Sequence, residues 1–231
     1  MLVSKIGNWG KRTGGGVPKN SVDLIRICGH AQLHRLRTDY LDVVLCHEGD
    51  LMEPDIYLEG FEALQTEGRI RAYGISTNSL DVLKRFNVNG TCSVVQVDYS
   101  LLNRGPEADF LPYCLENNIG VMVRGPLAKG LLSGRYSADS VFTDTVRTVW
   151  NDDPAQRQAF LARVAQVDRL RSQLQPGEEM VTAALRYTFS HPAISTTIPG
   201  AKSPQQAAMN AAAGERALTD AERDDLVALV G

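Results

Sequence analysis

The apolar run Leu41-Asp-Val-Val-Leu-Cys ends in His47, and Glu48-Gly49-Asp50 follows. A histidine there can polarise a carbonyl or pass a proton near neutral pH. It can equally be a histidine hydrogen-bonded at a strand end. Lys5 closes a shorter apolar run that begins at Leu2. A partly desolvated lysine can lower the pKa of a neighbouring acid, or it can snorkel to water. Ser76 and Gln96 hold comparable places after other apolar runs. They could hydrogen-bond an amide such as a ring carboxamide, or merely cap loops. His30 and His34, four apart on a predicted helix, could share a metal, but a third ligand is not evident. A solvated helix face suits them better, and no metal site is expected. Met180 and Tyr187 read as core residues.

A second kind of chemistry is suggested near the C-terminus. Ile194-Ser-Thr-Thr-Ile198 is a short β-branched run suited to a buried strand, and Pro199-Gly200 breaks it. Ser203 is a good N-cap, Pro204 a good first helical residue, and the Ala-rich run beyond is a strong helix former. A helix N-terminus just past a strand offers free N–H groups and partial positive charge, which suits phosphate. Lys202 adds a full charge at that place. A plain strand-to-helix turn with a surface lysine fits the same residues.

These residues need elements to position them. Strands are predicted over 2–6, 41–47, 70–76, 93–97, 120–123 and 194–198. A basic, glycine-rich loop covers 7–19. Helices are predicted over 21–37, 53–67, 79–86, 107–118, 154–174 and 177–190, the last two split by Pro176-Gly177. The Ala-rich helix follows, and Leu218-Thr-Asp-Ala-Glu222 is a capping box that opens a final one. The stretch 124–153 is long and irregular. Six near-continuous apolar strands, each followed by helix, mean a parallel α/β sheet covered by helices. A doubly wound sheet is one solution, but no GxGxxG follows an early strand, which argues against a Rossmann domain. A (β/α)8 TIM-barrel type fits better, incomplete at about six strands. Lys5, His47, Ser76, Gln96, Arg124 and Lys202 then lie at the C-terminal ends of strands, one per strand, where a barrel carries its active site.

Composition narrows the function classes. The chain has 231 residues, 43% of them hydrophobic, which is enough for a sizeable core in a single domain over 1–231. The 24 basic and 27 acidic residues form no block of one sign, so neither a nucleic-acid nor a membrane surface is expected. No apolar run is long enough to span a bilayer, and the first residues do not read as a signal peptide. Cys28, Cys46, Cys92 and Cys114 are widely spaced with no CxxC, as in a reduced, cytoplasmic protein with buried thiols.

A family resemblance runs through the chain. Arg35-Leu-Arg-Thr-Asp-Tyr-Leu-Asp-Val-Val-Leu-Cys-His47 is followed by Gly68-Arg-Ile-Arg-Ala-Tyr-Gly-Ile-Ser76 and Val94-Val-Gln-Val-Asp-Tyr-Ser-Leu-Leu102. Then come Gly125-Pro-Leu-Ala-Lys-Gly-Leu-Leu-Ser-Gly134 and Ile198-Pro-Gly200 through Asn210. In this order the segments resemble the aldo-keto reductases. The resemblance implies an eight-stranded (β/α) barrel that uses NADPH to reduce aldehydes and ketones, small-molecule carbonyl substrates, or runs in reverse on alcohols. Hydride passes to the carbonyl carbon, and a tyrosine tuned by a lysine–aspartate pair protonates the oxygen.

By position, Lys5 is similar to that lysine and His47 to the histidine that orients the carbonyl. Ser76 and Gln96 are similar to residues that hold the carboxamide. Gly125, Pro126, Leu127, Gly130 and Leu131 fall in the loop over the pyrophosphate, and Gly200, Lys202, Gln206 and Asn210 at the adenosine 2′-phosphate and adenine end. Arg124 stands where many members carry an aromatic that stacks on nicotinamide; a guanidinium plane can also lie against a ring. Thr77 replaces a frequent asparagine and Met209 a frequent acid. The family's aspartate and tyrosine belong before Lys5, on two strands expected to be absent from a shortened member. Unpaired edges near Val3 and Thr196 would then favour self-association. Two other readings stay open: a non-catalytic NADPH-binding or interaction subunit that lacks the proton-donating tyrosine, and another barrel enzyme acting on phosphorylated substrates.

Overall fold

The computed structural model describes residues 1–8, 20–174 and 179–230. Most of the predicted glycine-rich loop, and the Pro176-Gly177 break, lie outside these. The described residues form two compact units, one of Met1–Val97 with Glu107–Met122 and one of Asp98–Pro106 with Val123–Gly231.

In the first unit strands and helices alternate: β1 (Val3–Ile6), α1 (Val22–Leu36), β2 (Leu41–Cys46), α2 (Asp55–Thr66), β3 (Ile70–Ser76), α3 (Leu80–Phe86), β4 (Val94–Asp98), α4 (Phe110–Glu116) and β5 (Gly120–Arg124). The last residue of β4 and the last two of β5 belong to the second unit. β1 pairs with β2, β2 with β3 and β3 with β4, all parallel. Local chemistry sets the boundaries. The Ser21 and Ser79 side chains accept from Leu24 N and Val82 N, capping α1 and α3. Gly68, at φ +69°, ends α2, and Arg69 N–H returns to Leu64 C=O at 2.8 Å. The helix predicted over 107–118 is shorter, a 3₁₀ turn at Gly105–Glu107 and then α4. Pro112 explains this: with no N–H it fits only the first turn, where that donor has no helical partner anyway. Behind the sheet, Tyr57, Phe61 and Leu64 of α2 are buried as their spacing predicts, and Phe61 meets Tyr73 of β3 with ring centroids 5.6 Å apart.

The second unit holds α5 (Val149–Asp152), α6 (Pro154–Gln173), α7 (Met180–Phe189), β6 (Ile194–Thr197), α8 (Pro204–Ala213) and α9 (Asp220–Val230). Just beyond β6, Ile198 N–H donates to Val123 C=O at 2.9 Å. The irregular stretch 134–153 is tied down by side chains. Arg157 donates to Ser140 C=O at 3.0 Å and also to Ala138 C=O, and Arg171 donates to Gly134 C=O. Phe142, Trp150 and Phe160 pack beneath it, Trp150 stacked on Phe160 at 5.1 Å. Met180 and Tyr187 are buried. The capping box at α9 is reciprocal: Glu222 Oε2 accepts from Thr219 N at 2.8 Å, and Thr219 Oγ1 accepts from Glu222 N at 3.3 Å. Among the described residues no helix is long and apolar enough to cross a membrane.

Candidate active site

Register brings four of the predicted residues to one face of the first unit's sheet. Lys5 lies opposite Leu45, and Leu45 opposite Gly74. Side chains alternate along a strand, and partners in register share a face. His47 and Ser76, two residues beyond Leu45 and Gly74, therefore return to the face of Lys5. Gln96 is the register partner of Ser76 and joins them. His47, Ser76 and Gln96 form one row, and Lys5 sits one layer lower. Gly74 lies in that lower layer and has to be a glycine. A Cβ there would overlap the Val94 carbonyl and stand 2.6 Å from its carbon.

Each side chain has a definite setting. The His47 backbone N–H donates to Ile6 C=O at 2.8 Å, tying the strand ends together. The Lys5 carbonyl accepts from the Gln32 side-chain amide of α1. Ser76 and Gln96 are buried, at 8% and 2% exposure. Ser76 Oγ donates to Gln96 Oε1 at 3.4 Å, and Gln96 Nε2 faces Met122 Sδ at 3.3 Å. Both contacts are weak, one by length and one because a thioether is a poor acceptor. Thr77 donates to Gly49 C=O at 2.7 Å and accepts from Ser79 N–H at 3.1 Å, which fixes the turn after β3. His30 Nε2 pairs with Glu67 Oε2 at 2.7 Å, beside Arg26.

In the second unit a cavity of about 970 Å³ is lined by Gly125, Pro126, Leu127 and Gly130 on one side and by Gly200, Lys202, Gln206 and Asn210 on the other. The sequence placed these two sets far apart, and the fold brings them to one cavity. The loop turns through successive left-handed residues, Ala128 at φ +48°, Lys129 at +56° and Gly130 at +93°, which is costly backbone for the first two. Ala128 N–H to Gly125 C=O and Gly130 N–H to Leu127 C=O, both 2.8 Å, hold it there. Across the cavity, Ser203 Oγ caps α8 by accepting from Gln206 N at 3.2 Å. Gln206 Oε1 accepts from Lys202 N at 2.7 Å, and Asn210 Nδ2 reaches Gly200 C=O at 3.4 Å. Gln206 and Asn210 thus shape the turn that carries Lys202.

Two predicted residues sit elsewhere in this unit. Leu131 is buried beneath the loop, and Arg124 forms an ion pair with Asp98 at 3.2 Å. Sequence reasoning missed Lys129, Arg135, Tyr136, Asp144, Arg147 and Glu179, which also line the cavity. Arg135, Tyr136, Asp144 and Arg147 come from the irregular stretch, whose lack of periodicity hides which way a side chain points. Four cations (Lys129, Arg135, Arg147, Lys202) face two carboxylates (Asp144, Glu179), so the wall is positive although the whole chain carries −3.

Known proteins share this plan. A family model described as the aldo/keto reductase family matches residues 1–230. The oxidoreductase YqkF of Bacillus subtilis is 31% identical over 228 residues, 96% of this chain and 71% of that protein. The NADH-specific methylglyoxal reductase of Escherichia coli is 29% identical over 200 residues, 83% of this chain and 60% of that protein. The solved holo form of aldo-keto reductase AKR11C1 from Bacillus halodurans superposes with a TM-score of 0.80 at 31% identity, covering 99% of this chain and 72% of that one. With the strand-end row, the barrel-type sheet and these matches in agreement, the chain belongs to the aldo/keto reductase family of oxidoreductases, enzymes that use nicotinamide cofactors.

Proposed function

We propose that the protein is a cytoplasmic, NADPH-dependent oxidoreductase that reduces aldehydes or ketones to alcohols. The observation that carries this reading is the second unit's cavity, a positive wall joining a left-handed glycine loop to a capped helix N-terminus at Lys202. Those groups fit a dinucleotide's phosphates: backbone N–H groups, helix-end charge and cationic side chains converge there. The loop 125–131 would hold the pyrophosphate, and Lys202, with Gly200, Gln206 and Asn210 shaping its turn, the 2′-phosphate end. When bound, the dinucleotide supplies the hydride.

Ser76 and Gln96 suit the carboxamide because their present partners are weak. A ligand amide would replace a 3.4 Å contact and a sulfur contact with better bonds. His47, at the open end of its row, would orient the substrate carbonyl, and Lys5 beneath it would stabilise negative charge as the oxygen gains electrons. Binding without turnover is the second reading. Tyr57 supports it, since its buried hydroxyl donates its hydrogen bond to Glu48 Oε1 at 2.7 Å.

The experiment is a fluorescence titration with NADPH and with NADH. A charge-assisted bond to the 2′-phosphate is worth about 1.5–3 kcal/mol, or ten- to a hundred-fold in affinity. NADPH should bind more tightly by that factor, and Lys202→Ala should remove most of the difference. Equal affinities in the unaltered protein refute the cofactor assignment. Aldehyde-dependent NADPH oxidation then separates reductase from binding subunit.

A further inference from the structure

Tyr57, in the first turn of α2, packs behind the strand ends that carry Lys5 and His47. Its side chain is only 2% exposed, and its ring meets Phe61 edge-on with centroids 5.8 Å apart. Its hydroxyl donates to Glu48 Oε1 at 2.7 Å. Burial and the Glu48 carboxyl raise the phenol's pKa above its ordinary value, so the hydroxyl keeps its proton and remains a donor. Glu48 directly follows His47, so the hydrogen bond acts on the segment that presents the histidine.

Gly7 closes the arrangement. Its φ of +121° suits glycine, and a Cβ there would lie 2.9 Å from Tyr57 Oη, 3.3 Å from Glu48 Cγ and 3.3 Å from the carbonyl carbon of His47. The turn leaving β1 is therefore pressed onto the Tyr57–Glu48 bond and onto the His47 backbone at once. The Ile6–His47 hydrogen bond of 2.8 Å joins the same two segments one step below.

We propose that Tyr57 and Glu48 form a clamp behind the site that fixes the strand ends bearing Lys5 and His47 in one relative arrangement. They are positioning residues, acting through His47. The clamp's relevance to turnover rests on the reading of His47 as the group that orients a carbonyl; the clamp itself does not. Tyr57→Phe keeps the buried ring and removes only the hydroxyl, so the fold survives. Glu48→Gln keeps an oxygen that can accept from Tyr57, whereas Glu48→Ala does not.

The test reads the His47 ring by proton NMR on the whole protein, with the signal assigned by its loss in His47→Ala. In the parent and in Glu48→Gln the signal should be single and similarly placed. In Tyr57→Phe and in Glu48→Ala it should shift or broaden, while the His30 and His34 signals stay put. Where turnover is measured, kcat should fall about ten- to a hundred-fold in those two variants, with NADPH affinity unchanged. The double variant should lose less than the two single losses combined, because both substitutions remove the Tyr57–Glu48 bond. An unmoved His47 signal in folded Tyr57→Phe and Glu48→Ala overturns the clamp. A signal that moves as expected, with His47→Ala turning over normally, leaves the clamp standing and refutes the role given to His47.

Discussion

Gly74→Ala should markedly destabilise the first unit's sheet, although it adds a single methyl group. The reason lies in the approach of β3 to β4. The added Cβ would overlap the Val94 carbonyl and lie 2.6 Å from its carbon and 3.1 Å from its nitrogen. Ordinary contact begins at 3.4 Å, and the obstacle is backbone, which has no alternative rotamer. The strands must part by about an ångström or more, which stretches the ladder that joins Gly74, Ile75 and Ser76 to Val94, Val95 and Gln96. Losing two or three such hydrogen bonds, at about 0.5–1.5 kcal/mol net each, costs roughly 1–4 kcal/mol before any lost packing. Set against a total stability of about 5–15 kcal/mol, that is a large share. For a chain of this size it lowers Tm by roughly 2–4 °C per kcal/mol. Thermal melts and urea midpoints of the two proteins measure the effect. A Gly74→Ala protein that melts within a degree of the parent would show that β3 and β4 are not so closely apposed, and the row argument for Ser76 and Gln96 would lose its register.

Acid should loosen α9. Arg216 and the Thr219 cap hold the Glu222 carboxyl down at about 2, so its stabilising contribution is present above the ordinary value of 4.5 and is lost as pH falls toward 2. Hydrogen exchange of the α9 amides should accelerate between those values in the parent and much less in Glu222→Gln; equal pH slopes refute the cap's role. Burial pushes the Cys92 and Cys114 thiols up to about 12, and Cys46 is also buried, whereas Cys28 is partly accessible. Timed alkylation at pH 8 followed by mass spectrometry should find Cys28 first and the other three only on unfolding; early modification of Cys92 or Cys114 would contradict their burial.

What could be read in advance follows from periodicity. The strand at 70–76 is bounded as predicted because Gly68 stops the preceding helix and Tyr73 and Ile75 fill buried outward positions. Ser203 and the capping box at Thr219 announced their helices because a short side-chain oxygen beside free N–H groups is a local device, and Ser21 and Ser79, at predicted helix starts, cap in the same way. Lys5, His47, Ser76 and Gln96 were legible as polar ends of apolar runs. That they share one face required the register, which is set by tertiary pairing. Arg135, Tyr136, Asp144 and Arg147 were not legible at all. Their direction depends on Arg157 and Arg171 reaching back from α6 to backbone carbonyls, contacts that leave no periodic trace. Tyr57 was legible as an apolar helical position close to a plausible active-site loop, with nothing in the spacing to aim it. Its hydroxyl's role behind His47 appears once Gly7 and Glu48 are brought against it.

The two groups of site residues are held by different physics, and this makes their proposed roles separable. Lys5, His47, Ser76 and Gln96 are spaced by a parallel ladder, whose strands sit about 4.8 Å apart whatever the side chains are. A change beneath them, as at Gly74, first alters pairing and so registers as lost stability. Lys202, Lys129, Arg135 and Arg147 line loops and a helix end, where the fold constrains the backbone more than the charged tips. Lys202 is exposed in the described structure, so removing its side chain takes charge from the wall and little from the packing. Lys202→Ala should therefore weaken dinucleotide binding at unchanged Tm, and Gly74→Ala should lower Tm. If Lys202→Ala also lowered Tm by several degrees, its side chain would be part of the packing of the α8 turn, and the weaker binding could no longer be assigned to charge.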